Sequence, residues 1–476
     1  MNSSRKSLKE DNSSLYEIDG KRHLTSLPLK DSVKSYLITG TVWSLIGKLV
    51  TVFSNMMIVA LLARILSVND MATYFLGHSI AVFIALFGRF GIENSLLRFV
   101  SEFLTEGANN KAISAIYKGV VLVGIISTLF AVLYISLVGP WVSSYFFGSS
   151  SLEKLADYIA FWSVVLSFQF VLNAVFKAFK DIMRSVFFGG GIMAINSFVF
   201  LFFIINFLHL KLTLYQSLII ILISGSVSVI IALFSLQKKI SYIRIGGRPD
   251  TISYSKIINH SWPLWINSLS LFVLSQSGIW IVGIWFEGME VAGFGASNRL
   301  ILMVSMTLVI VNSVVPPLIA QYNILNKKKE LEKILRMTAT FASLPVIFVM
   351  IIFLVFPGEI LQIIFGDGYQ IAAPILVILT IGQIVNVLVG SCGYVLIMTG
   401  HKTVMMCVSV SVAIISVSCG IIVTEKFGAV GAASAVTLAI TIQQILMLII
   451  VRIRVGVWTC VDFKSVVDVL RLKQIR

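Results

Sequence analysis

The stretch SYLITGTVWSLIGKLVTVFSNMMIVALLARIL (Ser35–Leu66) is almost wholly apolar, yet one lysine, Lys48, falls near its middle. On a helix, Thr41, Ser44, Lys48, Thr51 and Asn55 follow one another at spacings of three or four residues, so they form one stripe. At about 1.5 Å per residue, Lys48 lies roughly 18 Å along such a helix, near the middle of a hydrocarbon core about 30 Å thick. An ammonium there is costly unless the stripe faces water, a partner or a ligand. The stripe therefore predicts one wall of a polar cavity for an anion.

The rest of the chain sets that helix in a membrane. Its 476 residues are 57% hydrophobic and only 12% charged, too little charge to cover a soluble protein of this size. Apolar segments recur at about 36–66, 72–90, 115–138, 156–178, 184–208, 214–236, 255–285, 291–318, 333–356, 371–398, 402–424 and 428–453. They predict an all-α polytopic membrane protein of about twelve spans. The net charge of +15 does not indicate nucleic acid, because the basic residues gather at the ends of these segments. Connections on one side carry nearly all of them, and the other side holds Arg64, Lys154, Lys211 and Lys426. The asymmetry places both termini in the cytoplasm.

Landmarks repeat at a constant offset of about 220 residues. VNDMATYF (Val68–Phe75) aligns with GMEVAGFG (Gly288–Gly295), and YFFG (145–148) with IIFG (363–366). Two six-helix bundles in parallel repeat follow, around a central cavity. The expected organisation is a flexible cytosolic tail (1–34), a first bundle (35–236), a cytosolic linker (237–254), a second bundle (255–453) and a cytosolic C-terminal tail (454–476). LLRFVSEFL (96–104) suits either an interfacial helix or a continuation of the second span.

Three basic residues fall inside spans: Lys48 in the first, Arg89 near the cytoplasmic end of the second and Arg299 in the eighth. Lys48 and Arg299 approach similar depths from opposite halves. Arg89 fits a cavity role or contact with lipid phosphate equally well. Tyr74, His78, Ala85 and Arg89 share a face of the second span; Asn267 and Ser270 lie on the seventh with Gln276 beside them, and Gln383 and Asn386 on the tenth. Every Asp and Glu maps to a tail, loop or helix end. The cavity is therefore expected to be net positive and to draw an anion such as a pyrophosphate.

No phosphate-cradling glycine loop, zinc-protease motif or catalytic constellation is present, and no cofactor or metal site is expected. Cys392, Cys407, Cys419 and Cys460 show neither metal-ligand spacing nor a disulfide framework. They read as small packing residues.

LLARILSVNDMATYFLGHSIAVFIALFGRFGIENSLLRFVSEF (Leu61–Phe103) resembles the first-to-third-span block of bacterial polysaccharide flippases. AGFGASNRL (Ala292–Leu300), FGDGYQIAAPILVIL (Phe365–Leu379) and FGAVGAASAVTLA (Phe427–Ala439) supply matching blocks in the second half. The chain thus resembles the polysaccharide-transport branch of the multidrug, oligosaccharidyl-lipid and polysaccharide exporter superfamily, home of O-antigen and exopolysaccharide repeat-unit flippases. The resemblance implies a transporter in the bacterial cytoplasmic membrane rather than an enzyme. Its implied substrate is an undecaprenyl-diphosphate-linked oligosaccharide, moved by alternating access among membrane lipids, with a polysaccharide polymerase and a chain-length regulator as partners. It also implies that Lys48, Arg89 and Arg299 lie within the cavity, where they are expected to bind the anion. From the helical spacing, Ser44, Thr51, Asn55, His78, Asn267, Gln276, Gln383 and Asn386 are expected as polar lining. Many relatives carry an aspartate in span seven where SQSGIWIVG has Gly278, which argues against coupling through that carboxylate. The alternatives are a multidrug exporter of the same architecture, disfavoured by the positive cavity, and a membrane-bound polymerase, disfavoured by the lack of a large outer loop.

Overall fold

A computed structural model describes residues 29–243, 251–325 and 327–462; side chains of 29–45, much of 306–324 and residue 402 lie outside the described set. So do residues 1–28 and 463–476, most of the two expected tails, and 244–250 in the linker. Among the described residues all regular secondary structure is helical, with ten helices long and apolar enough to cross a membrane. In hydrocarbon this is the expected solution, because a helix satisfies its backbone groups internally.

The first half comprises α1 (Leu29–Ile65), α2 (Val68–Arg89), α3 (Ile92–Thr105), α4 (Asn109–Phe146), α5 (Ala156–Ala178), α6 (Ile182–Asn206) and α7 (Leu214–Ile243). The second comprises α8 (Tyr254–Trp285), α9 (Met289–Ile324), α10 (Lys328–Val355), α11 (Pro357–Phe365), α12 (Ala373–Val389), α13 (Cys392–Met398) and α14 (Lys402–Arg454). The 53 residues of α14 would span far more than one bilayer if straight, and they break at Gly428 (φ +61°) into two membrane-length pieces. With α9, 36 residues long, this gives the twelve spans that the hydropathy predicts.

Three boundaries differ from the sequence expectation. The third span runs on through π-helical turns to Phe146 instead of ending near 138. The tenth breaks at Gly390 (φ +78°), leaving α13 as a short separate helix. After α2, Phe90 (φ 45°) and Gly91 (φ 72°) both take left-handed backbone, so α3 is a new helix and not a continuation. Glycine is required at this elbow: a Cβ on Gly91 would lie 2.5 Å from the Ser261 carbonyl oxygen of α8.

The halves meet at positions that obey the repeat. Gly295 of α9 lies so close to Phe75 of α2, 220 residues earlier, that a Cβ would come within 2.4 Å of the ring. At the ends of the helices that carry the FG landmarks each half reaches across. Arg64 at the end of α1 donates to the Ile363 carbonyl, while Gly283 near the end of α8 packs on Phe147. The two FG landmarks are thus the ledges on which the partner half's leading helix rests.

Candidate functional site

A cavity of about 440 Å³ opens beside this seam. Its walls come from α1 (Thr51, Asn55), α2 (Tyr74, His78), α5 (Trp162, Gln169, Phe170), α6 (Gly189, Gly190, Ser197) and α7 (Ile221). The second half contributes α9, with Arg299 and Ser305. The chamber expected between two bundles is therefore carved mostly from the first, and one helix of the second supplies its cation.

Arg299 is positioned by contacts across the seam. Its Nη2 donates to Nδ1 of His78 at 3.0 Å, so the imidazole accepts there and its own proton sits on Nε2. His78 meets Trp162 edge to face at 5.0 Å between ring centres, and Tyr74 lies 5.9 Å from the same indole. These rings form an aromatic shelf beside the guanidinium. Nε1 of Trp162 is buried and has no hydrogen-bond partner. Among the described residues no carboxylate pairs with Arg299. A cation held only by neutral groups attracts anions strongly in a medium of low polarity.

The α6 wall is a broken helix. Gly189 and Gly190 depart from helical backbone, and Gly190 takes φ +117°. Asn173 of α5 occupies the notch, its Nδ2 donating to the Ser185 carbonyl at 2.8 Å. Irregular backbone is tolerated at membrane depth where it lines a cavity. On α1, the Thr51 hydroxyl donates to the Gly47 carbonyl and the Asn55 amide to the Thr51 carbonyl, which leaves their oxygens for a guest.

The predicted residues divide as follows. Arg299, His78, Thr51 and Asn55 lie together on the cavity wall. Lys48 is half-buried one turn before Thr51 and is not among the lining residues; it lies within the electrostatic reach of Lys177 on α5. Arg89 is also outside the lining. It pairs with Glu93 at 3.3 Å and covers the ring of Phe170, which does line it. Asn267, Gln276, Gln383 and Asn386 are not on this wall, and the Asn386 amide is engaged with Gln383 Oε1 at 2.9 Å. The side chain of Ser44 falls outside the described residues.

Sequence reasoning overlooked Trp162, Gln169 and the glycines of α6. A signal for the last was available in the run Gly189–Gly191, set inside an otherwise apolar span.

The fold and this site define a multi-pass membrane protein of transporter architecture. The chain belongs to the family described as polysaccharide biosynthesis protein, which it matches over residues 37–323. It is 26% identical over 202 residues to the probable low-salt glycan biosynthesis flippase Agl15 of Haloferax volcanii, a match spanning 42% of each chain. Among solved structures it is similar to an inward-facing multidrug transporter of the MATE family (TM-score 0.68, 13% identity, covering 86% of this chain and 94% of the other). It is also similar to the lipid II flippase MurJ in an inward closed conformation (0.65, 16%, 90% and 89%). A third is a MOP-superfamily transporter from Pyrococcus furiosus whose binding pocket is described as reversed in polarity (0.62, 15%, 89% and 96%). At these identities the likeness is one of fold.

Proposed function

We propose that the protein flips an undecaprenyl-diphosphate-linked oligosaccharide repeat unit across the bacterial cytoplasmic membrane, with both termini in the cytoplasm, for assembly of a surface polysaccharide. The observation that carries this reading is Arg299, a membrane-embedded cation on a cavity wall, held by His78 and paired with no carboxylate among the described residues. A lipid diphosphate would supply the missing negative charge. The shelf of Tyr74 and Trp162 and the amides of Asn55 and Gln169 are the kinds of group that stack on and hydrogen-bond to sugars. The lipid chain stays in hydrocarbon, so only the head group needs a polar path.

In this scheme residues 35–236 and 255–453 rock against each other about the α2–α9 contact. Lys48 and Lys177 attract the head group at the cytoplasmic approach, below the cavity. Membrane lipids surround the route, and a polysaccharide polymerase with a chain-length regulator would consume the product. The similarity to the glycan flippase Agl15 supports this reading, and the multidrug transporters among the structural neighbours favour a drug exporter as second reading. An organic cation, however, would meet Arg299 with like charge. The test is complementation of a deletion strain: wild type should restore surface polysaccharide, and Arg299→Ala should not, at equal protein level. Restored drug resistance without any polysaccharide phenotype would favour the exporter.

A further inference from the structure

Arg89 stands on the same face of α2 as His78, eleven residues and about 16 Å further toward the cytoplasm. Its guanidinium carbon lies 4.0 Å from the centre of the Phe170 ring, and that ring lines the cavity. One aromatic side chain thus separates a second cation from the site of Arg299. Arg89 is not free to enter, because its Nε lies 3.3 Å from Oε1 of Glu93.

The pair is poorly satisfied. Both side chains are close to nine-tenths buried, and neither Arg89 Nε nor Glu93 Oε2 has a hydrogen-bond partner. The Asn94 amide approaches Oε1 at 3.5 Å. The titratable groups on the neighbouring helices have partners of their own. On α4, Lys118 donates to the Ile252 carbonyl; on α8, His260 is held by Ser95 and Arg98; α5 presents Phe170. The pair also straddles the Phe90–Gly91 elbow, where Phe90 stacks on Trp265 and Gly91 abuts the backbone of α8. A change in the pair therefore acts where the first half docks on the second.

We infer that Glu93 is a proton-binding site that competes with the anionic ligand for Arg89, a step that rests on the flippase reading above. The diphosphate draws the guanidinium round the Phe170 ring. Glu93, left buried without its cation, takes a proton from water onto Oε2. Burial pushes this carboxyl up and Arg89 pulls it down, so removing Arg89 leaves chiefly the upward influence. Binding of the anion is then linked to uptake of a proton, and leakage of Arg89 back to Glu93 returns it. This supplies a titratable carboxylate beside the cavity, although span seven has Gly278 and no acid.

The test measures farnesyl diphosphate binding to the full-length protein in lipid nanodiscs by calorimetry, near neutral pH, in two buffers of different ionisation enthalpy. Wild type should take up on the order of one proton per diphosphate bound beyond the ligand's own protonation. Glu93→Gln should lose that increment and bind several-fold more tightly, since Arg89 is released in advance. Arg89→Gln should lose it too, because Glu93 is then protonated before the ligand arrives, and this variant decides the matter if Glu93→Gln does not fold. Arg299→Ala should weaken binding while leaving uptake per bound ligand unchanged. If wild type does not bind, the flippase reading fails and takes this inference with it. If wild type binds and Glu93→Gln or Arg89→Gln keeps the full proton increment, this inference alone fails.

Discussion

Arg299 of the second half hydrogen-bonds to His78 of the first, Nη2 to Nδ1 at 3.0 Å, across 221 residues of sequence. That separation is within one residue of the repeat offset, so the bond sits where equivalent helices α2 and α9 face each other. His78 positions the guanidinium without adding charge, since its Nδ1 accepts.

Arg299→Ala should therefore remove both the charge and the cross-seam bond, whereas His78→Ala removes only the support. A hydrogen bond to a charged group contributes about 1.5–3 kcal/mol, or roughly ten- to hundredfold in binding. Farnesyl diphosphate affinity should fall by at least about tenfold in Arg299→Ala, and by less in His78→Ala. The double variant should resemble Arg299→Ala alone, because His78 acts through the arginine. Additive losses would show that His78 touches the ligand itself.

The α6 break gives a second prediction. A Cβ on Gly189 would lie 2.0 Å from Asn173 Nδ2, the atom that donates to the Ser185 carbonyl. Gly189→Ala should cost about 1–3 kcal/mol through overpacking, read as a lower thermal midpoint in detergent. Adding Asn173→Ala makes room, so the double variant should be more stable than the sum of the two single losses predicts. Strict additivity would mean that the helix relaxes around the new methyl.

Much of this was legible in the chain, and the failures have physical causes. The 220-residue offset predicted that halves correspond, and Phe75 and Gly295 prove to be in contact. Of the stripe on α1, Thr51 and Asn55 lie on the cavity wall, but spacing fixes a face and not the depth at which a cavity ends, so Lys48 lies one turn outside it. Gln383 and Asn386 looked like lining because they are polar and helical; they satisfy each other within one turn. Glu93 was placed correctly at a helix end. Its burial follows from two left-handed residues, Phe90 and Gly91, that fold α3 back against α8, and only tertiary packing determines that.

A third prediction concerns the segment after α14. Thr459 Oγ1 donates to the Val389 carbonyl at 2.8 Å and Val461 N to the Leu388 carbonyl at 2.9 Å, so this segment caps the break at Gly390. It also covers Cys392, whose Sγ lies 2.7 Å from Thr459 Oγ1. The thiol is fully buried. Since the thiolate is the nucleophile, maleimide should label Cys392 very slowly near pH 8 in a background with Cys407, Cys419 and Cys460 replaced by serine. A stop after Arg454 should raise the labelling rate by at least about tenfold. Equal rates with and without the segment would show that it does not shield the thiol.

Asp181 supplies a pH dependence outside the membrane-spanning segments. It accepts from Lys239 Nζ at 2.6 Å, from Arg184 Nη1 at 3.0 Å and from the Arg184 backbone N–H at 3.3 Å, tying the start of α6 to the end of α7. Burial pushes the carboxyl up, but the Lys239 bond, the Arg184 N–H and the two positive charges outweigh it and hold the group below its usual value. A folded-state value below the unfolded one means that the stabilisation is complete above the unfolded value, about 3.9, and is lost as pH falls through the folded one. Because the pair with Arg184 is solvent-screened, the contribution should not exceed about 1 kcal/mol. Thermal midpoints in detergent should therefore drop more steeply below about pH 4 for wild type than for Asp181→Asn, which starts lower at neutral pH and has no such proton to bind. Parallel curves for the two proteins would show that Asp181 makes no net contribution to holding α6 against α7.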